Sequence, residues 1–159
     1  MRDNENGPAF DPLSIKPVVR NPYPAPHDIA LNGKSRRALG DPNGLTKFGI
    51  NLTDLDPGAI SALRHWHSEE DEFIYIIEGT PTLMTDAGAQ QLAPGMCACF
   101  PSGSKDAHRL ENRSDTLVRF LEVGNRSSGE QVKYPDDDMI MNRTADDQRS
   151  FTKLDGSPF

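Results

Sequence analysis

Three histidines and one glutamate are spaced so that they could bind a metal ion together. His65 and His67 are two residues apart, Glu72 follows five residues after His67, and His108 lies much further along the chain. On a β-strand, residues i and i+2 point to the same face, so the two imidazoles would project side by side. A polar turn over residues 68–71 would return Glu72 beside them on an antiparallel strand, and His108 would come from the far side.

This ligand set predicts the chemistry of the ion. Three neutral imidazoles and one carboxylate form a partial octahedron with about two open positions. We therefore predict one divalent transition metal ion (zinc, manganese, iron or nickel) and a small-molecule ligand that binds at the open positions. The fourth histidine, His27, lies in a proline-rich segment and is interpreted as structural.

Strand parity also predicts the walls of a pocket around the ion. Because Glu72 would face the cavity, Ile74 and Ile76 would face it too, whereas Phe73 and Tyr75 would point outward. The other pocket candidates are Phe100, Lys105, Leu110 and Glu122.

Two of these candidates are charged, and each has a second interpretation. Lys105 lies with Arg109 beside His108, where a substrate carboxylate or phosphate could meet them, although we favour a solvated surface charge for both. Glu122 interrupts an apolar strand, where a buried carboxylate without a partner would be costly. It therefore either faces water or has a function.

Length and composition exclude several classes of protein. The 159 residues (17.5 kDa) make one domain, and a net charge of −7 with a pI near 5.0 disfavours nucleic acid as a partner. No window approaches the roughly 20 apolar residues that span a bilayer, and residues 1–7 are polar, so we expect no membrane contact and a cytoplasmic location. Cys97 and Cys99 lie in an apolar run and are interpreted as small buried hydrophobic side chains.

Short strands must position these residues. Apolar runs separated by glycine, proline and asparagine turns predict eight strands, over 48–52, 60–67, 73–77, 81–84, 90–92, 96–100, 107–110 and 116–123. Such a pattern is typical of an antiparallel sandwich or barrel. We predict a barrel over residues 31–124, an extended proline-rich N-terminal arm over 1–30, and a C-terminal arm over 125–159, where apolar density falls.

The spacing resembles that of the cupin superfamily. A first signature is matched by Gly58, His65-Trp66-His67, Glu72 and Gly79, and a second by Gly95, Pro101, Gly103, His108 and Asn112. The gap from Gly58 to His65 is one residue longer than the pattern, and the gap from Gly103 to His108 is two residues longer. Together the signatures cover about a third of the chain. The flanking sequence is similar to that of small single-domain bacterial cupins, some of which carry sugar-phosphate isomerase labels.

The resemblance implies a double-stranded β-helix (jelly-roll) barrel with a metal in its mouth. It implies no particular reaction, because one fold hosts many activities. Our leading hypothesis is a metal-dependent enzyme of the sugar-phosphate isomerase, epimerase or lyase type that acts on a small oxygen-rich metabolite. The alternatives are an iron-dependent dioxygenase and a non-catalytic small-molecule-binding protein.

We also predict a homodimer. Outward-pointing Trp66, Phe73 and Tyr75 would form an apolar patch, and such patches mark interfaces. The proline-rich part of the N-terminal arm, from Pro8 to Pro26, would extend across the partner's sheet.

Overall fold

The computed structural model describes residues 8–144, 146 and 148–159, so the first seven residues of the predicted arm lie outside it. The described helical elements are two three-residue 3-10 turns, Pro12–Ser14 and Asp41–Asn43. No helix in the described part of the chain is long and apolar enough to cross a membrane. The strands are β1 (Lys34–Ala38), β2 (Phe48–Leu55), β3 (Trp66–His67), β4 (Glu72–Glu78), β5 (Thr82–Thr85), β6 (Gly88–Gln91), β7 (Cys97–Phe100), β8 (Arg109–Glu111), β9 (Val118–Asn125), β10 (Gln131–Tyr134), β11 (Met139–Arg143) and β12 (Arg149–Thr152).

The strands form three antiparallel sheets, with the orders β1-β2-β9-β4-β7, β12-β11-β10-β3 and β6-β5-β8. The predicted all-β jelly-roll barrel is confirmed. The predicted strand over 60–67 is shorter than expected and keeps only Trp66–His67 as β3. Earlier in that segment the Ser61 hydroxyl accepts a hydrogen bond from the Leu110 amide, and single β-bridges replace a continuous ladder.

Strand parity in β4 is as the sequence predicts. Ile74 and Ile76 are buried, whereas Tyr75 is 41% exposed on the outer face. Opposite them on β9, Phe120 pairs in register with Ile76 and is also buried. Alternate residues of a strand share a face, so β4 and β9 present one apolar face to the barrel interior. The resulting main core contains Leu55, Ala59, Ile74, Ile76, Leu83, Leu92, Leu110, Val118 and Phe120.

The segment predicted as a C-terminal arm supplies strands β10, β11 and β12, and β10 pairs with β3. A second core forms there from Tyr23, Leu31, Leu63, Val132, Tyr134, Met139 and Met141. Its apolar residues are few, but they alternate along β10 and β11, which is sufficient for a strand with one buried face. Low apolar density therefore does not indicate a loose tail in this protein.

The described part of the N-terminal segment contacts its own chain. Val18 forms a β-bridge with Arg36, and the Ile15 carbonyl accepts a hydrogen bond from Arg37. Tyr23 is buried in the second core, and its hydroxyl accepts a hydrogen bond from the Leu63 amide. The segment has no long strand, yet its middle is part of the packed structure.

Two expectations about individual side chains are wrong. Cys97 and Cys99 share a face as predicted, but both are exposed because β7 is an edge strand and they point outward beside Tyr75 and Phe73. Trp66 lies in a different sheet from Phe73 and Tyr75, with the Lys133 ammonium 5.0 Å above its ring. Trp66 is therefore not part of the predicted patch.

Candidate metal centre

The backbone brings the three histidines to one wall of the barrel. His65 and His108 form a β-bridge in which each amide donates to the other residue's carbonyl, at 3.1 and 2.8 Å. His67 follows on β3, two residues after His65 and on the same face. Glu72 begins β4, directly after Asp71, whose amide donates to Asn125 and whose carboxylate accepts from the Ser102 amide.

The side chains of these four residues converge on one oxygen atom. The Nε2 atoms of His108, His67 and His65 lie 2.9, 3.6 and 3.9 Å from Oε2 of Glu72. Ligand atoms of His65, His67 and Glu72 all lie within 4.8 Å of one another. Two ligands that are each about 2 Å from a shared ion are separated by roughly 3 to 4 Å. The spacing therefore fits a single small divalent ion.

The hydrogen-bonding pattern fits a metal site as well. Nδ1 of His65 lies 2.8 Å from the Leu63 carbonyl, so this nitrogen carries the proton and Nε2 keeps its lone pair toward Glu72. Burial, reinforced by the neighbouring His108 and His67, lowers the pKa of His65 to about 3. This imidazole is neutral at neutral pH, which is the form that binds metals.

Glu72 is ionised in the same surroundings. Burial acts to raise its pKa, but the hydrogen bond with His108 and the nearby imidazoles outweigh burial and lower the pKa to about 2. The centre therefore offers an anionic oxygen among imidazole nitrogens. The Phe100 ring stacks on His108, with ring centroids 3.5 Å apart, and covers one side of the cluster.

A second carboxylate supports His67 from behind. Oε1 of Glu130 lies 3.4 Å from Nδ1 of His67, and the Glu130 side chain is fully buried. The Glu130 carboxylate also accepts hydrogen bonds from the Ser68 and Glu69 amides. Burial acts to raise the pKa of Glu130, but His67 and these amides outweigh burial and lower it. Glu130 therefore places a buried negative charge beside the ring of a candidate ligand.

Glu70 lies close enough to His67 and Glu130 that these three residues are a second group that could hold a metal ion. Its carboxylate is already bound, because Arg143 donates to both of its oxygens at 2.8 and 2.9 Å. The Ser127 amide donates to the same carboxylate. These contacts leave Glu70 a structural partner of Arg143 and favour the first cluster as the ion site.

The metal candidates border a cavity of about 580 Å³. The predicted pocket residues Ile74, Phe100, Leu110 and Glu122 line it, as do His65, His67, Glu72 and His108. Ile76, also predicted to line the pocket, is fully buried in the main core and does not line the cavity. Lys105 is exposed on its loop and is not part of the cavity wall.

Sequence reasoning missed two cationic residues of the cavity wall, Lys34 and Arg36 of β1. Apolar residues do not alternate along β1. Its cations at alternate positions are the pattern expected of an edge strand that faces solvent. Sequence reasoning also missed Glu130, because its role depends on the pairing of β10 with β3. No local spacing signals that pairing.

Comparisons with known proteins agree with the barrel fold. The Cupin domain family model matches residues 51–124. A crystal structure of a sugar phosphate isomerase from a cupin superfamily, from Silicibacter pomeroyi, is 42% identical with a TM-score of 0.92, over 96% of each chain. A candidate sugar phosphate isomerase from Acidithiobacillus ferrooxidans is 27% identical with a TM-score of 0.72, over 79% of this chain and 80% of that one.

One curated relative is named as a polyketide synthase protein. Tetracenomycin polyketide synthase protein TcmJ from Streptomyces glaucescens is 30% identical over 91 residues, which cover 56% of this chain and 59% of that protein. The match thus spans less than two thirds of that relative.

Proposed function

This chain belongs to the cupin family, and from that premise we propose that it is a metal-dependent enzyme that isomerises or epimerises a small hydroxycarbonyl metabolite. The observation that carries the proposal is the convergence of three imidazole nitrogens on Oε2 of Glu72 at the wall of a substrate-sized cavity. The similarity to a protein named as a sugar phosphate isomerase, at 42% identity over 96% of each chain, supports the same class of reaction.

His65, His67, Glu72 and His108 would hold the ion. A divalent ion bound there would supply Lewis-acid polarisation of a substrate carbonyl or hydroxyl oxygen. The neutral state of His65 and the ionised state of Glu72 suit this role, because metal ligands must be deprotonated.

Glu122 is the candidate for proton transfer. Its carboxylate lines the cavity, its side chain is 16% exposed, and no hydrogen bond occupies it among the described residues. Isomerisation next to a carbonyl requires a base that removes a proton from carbon and returns it to a neighbouring atom. One carboxylate oxygen of Glu122 can hold that proton between the two transfers. The apolar walls of Ile74 and Leu110 would limit competing water.

Metal content and proton exchange test the proposal in two stages. The purified chain is analysed for zinc, manganese, iron and nickel, and then incubated in D2O with hydroxyaldehydes, hydroxyketones and their phosphates. We expect one ion per chain and incorporation of deuterium at the carbon next to the carbonyl, detected by NMR. Glu122→Gln should keep the ion and lose the exchange.

Histidine variants check the ligands. The double variant His65→Ala, His108→Ala should lose the ion and part of the thermal stability, because a bound ion stabilises the folded state by mass action. His27→Ala is the control, since His27 lies 3.6 Å from Asp137 and outside the cavity wall. Full occupancy in the double variant would contradict the ligand assignment. Metal binding with no exchange on any substrate would contradict the enzyme and favour a binding protein, and oxygen consumption with iron would favour a dioxygenase.

A further inference from the structure

We propose that Lys34 and Arg36 form an anion subsite in the cavity and that this subsite binds the phosphate monoester of the substrate. This inference rests on the proposed function, and it adds the residues that would select a phosphorylated substrate. Both side chains line the same cavity as the candidate metal ligands, but they come from β1, at the opposite edge of the five-stranded sheet from β7.

The register of β1 turns these two cations inward. Lys34 is opposite Leu55 and Arg36 is opposite Thr53, and both β2 residues are fully buried. Directly opposed residues of an antiparallel pair share a face, so Lys34 and Arg36 point to the barrel interior. Arg37 points to the other face, where it pairs with Asp54. The alternation therefore places two adjacent cations on the cavity side.

Both cations keep donors for a ligand. The Lys34 ammonium donates to the Ser61 carbonyl, which is a neutral acceptor. Arg36 lies 3.7 Å from a carboxylate oxygen of Glu122, beyond hydrogen-bond distance. An ammonium has three donors and a guanidinium has five, so most of them remain for an incoming anion.

Two other arginines of the cavity wall differ in this respect. Arg143 donates to both oxygens of Glu70, and Arg126 pairs with Asp41 at the rim. Those two charges are matched within the chain. Lys34 and Arg36 differ from these two because their contacts in the described part of the chain leave donors for a ligand.

The position of Lys34 favours an anionic ligand. Burial lowers the pKa of the Lys34 ammonium, although the Glu122 and Glu72 carboxylates partly oppose this effect. A poorly hydrated ammonium gains more from a bound anion than a solvated one does, because charge-assisted hydrogen bonds strengthen as water is excluded.

The sheet order sets the size of the ligand. β1 and β4 are separated by β2 and β9, and strands lie about 4.8 Å apart, so the backbones of β1 and β4 are roughly 14 Å apart along the sheet. The Lys34 and Glu72 side chains shorten this gap from both ends. A ligand that contacts both must span several bonds, as does a short hydroxycarbonyl chain with a phosphate on its far end.

Anion binding by single variants tests the subsite. Binding of inorganic phosphate is measured by calorimetry on the full chain, as purified and after metal removal by a chelator. We expect Lys34→Met and Arg36→Met each to raise the dissociation constant for phosphate about tenfold, with unchanged metal-to-protein ratios. Lys105→Met is the matched control, because Lys105 is an exposed lysine outside the cavity wall, and its dissociation constant should equal that of the native chain.

The outcomes separate this inference from the proposed function. Equal phosphate affinity in the native chain and both variants would overturn the subsite, as would undetectable binding at about 10 mM phosphate. Acetate binding as tightly as phosphate, with the same losses in the variants, would overturn the phosphate assignment. Should Lys34→Met fail to fold, the more exposed Arg36→Met decides the result. Loss of the metal or absence of proton exchange would contradict the proposed function only. The subsite is tested separately, because phosphate binding is also measured without metal.

Discussion

Oε1 of Glu130 lies 3.4 Å from Nδ1 of His67, on the side of the imidazole away from Glu72. The two amides that donate to Glu130 belong to Ser68 and Glu69, the residues that directly follow His67. One buried carboxylate therefore lies beside the ring and binds the backbone of the turn that leads to Glu72. This links the C-terminal segment to the metal centre.

Replacement of Glu130 by Gln should weaken metal binding by about 10- to 100-fold, the usual effect of losing a carboxylate behind a ligating histidine. The neutral amide no longer polarises the ring, and one of its two acceptor atoms is lost. Competition with a chromogenic zinc chelator measures the affinity. Glu111→Gln is the control, since Glu111 pairs with Arg109 and Arg113 outside the cavity wall. An unchanged affinity in Glu130→Gln would show that Glu130 is only structural.

Local spacing was enough to predict that His65, His67 and Glu72 lie together, because period-two parity and one tight turn determine their geometry. His108 lies beside His65 through a β-bridge and not on the far side, and local spacing does not determine that pairing. Parity likewise placed Ile74 in the cavity wall. Ile76 faces the same way, but its side chain is packed in the main core and does not line the cavity. Depth along a strand depends on the packing of all the sheets, which one segment does not reveal.

The residues that sequence reasoning missed depend on long-range pairing. Glu130 reaches His67 only because β10 pairs with β3, and Lys34 faces the cavity only because β1 pairs with β2. The exposure of Cys97 and Cys99 also depends on long-range packing. These side chains would be buried only if another part of the chain or a second chain covered the outer face of β7.

We expect a homodimer that buries the outer face of β4 and β7, where Phe73, Tyr75, Cys97 and Cys99 lie side by side. Tyr75, 41% exposed, is at the centre of this face, so Tyr75→Glu should place a charge in the interface and give a monomer. Light scattering at micromolar protein measures the mass. Ile29→Glu is the control, as Ile29 is 67% exposed and outside these strands.

A monomeric mass for the native chain would exclude the dimer, and a dimeric Tyr75→Glu would exclude this face as its interface. Truncation of residues 1–26 is a poorer test of the arm's predicted role. It would also remove Tyr23 from the second core and lower stability.

Asp54 should stabilise the fold at neutral pH and lose this effect in acid. Its carboxylate accepts hydrogen bonds from Arg37 at 2.6 Å and Arg119 at 2.7 Å, and these contacts lower its pKa although burial acts to raise it. A carboxyl whose pKa is lower in the folded than in the unfolded chain stabilises the fold above its unfolded pKa. That stabilisation falls as the pH drops through the folded value.

Asp54→Asn should therefore lower the free energy of unfolding by about 2 to 3 kcal/mol at pH 7. The difference from the native chain should shrink below about pH 4, where the unfolded carboxyl begins to protonate. Urea denaturation at a series of pH values measures both effects. Asp115→Asn, at an exposed turn position, should change little at any pH. A difference that stays constant down to pH 2 would contradict the ion-pair explanation.

Gly79 and Gly58 both have a backbone conformation that favours glycine, but only Gly79 is also closely packed against other backbone atoms. Both have positive φ, +79° and +81°, which L side chains rarely adopt. A Cβ on Gly79 would lie 2.5 Å from the Leu117 carbonyl oxygen and 2.9 Å from Cα of Val118, and backbone atoms cannot rotate away. A Cβ on Gly58 would meet nothing within 4 Å.

Gly58→Ala should therefore cost only the backbone strain, about 1 to 2 kcal/mol of unfolding free energy. Gly79→Ala should cost a further 1 to 3 kcal/mol or so, because the collision displaces the segment that leads into β9. Denaturant unfolding of the two variants beside the native chain measures both losses under one set of conditions. Equal losses would mean that the backbone around Leu117 and Val118 relaxes freely and that conformation alone explains both glycines. A larger loss in Gly79→Ala would show that close packing between the end of β4 and the start of β9 keeps this glycine in place.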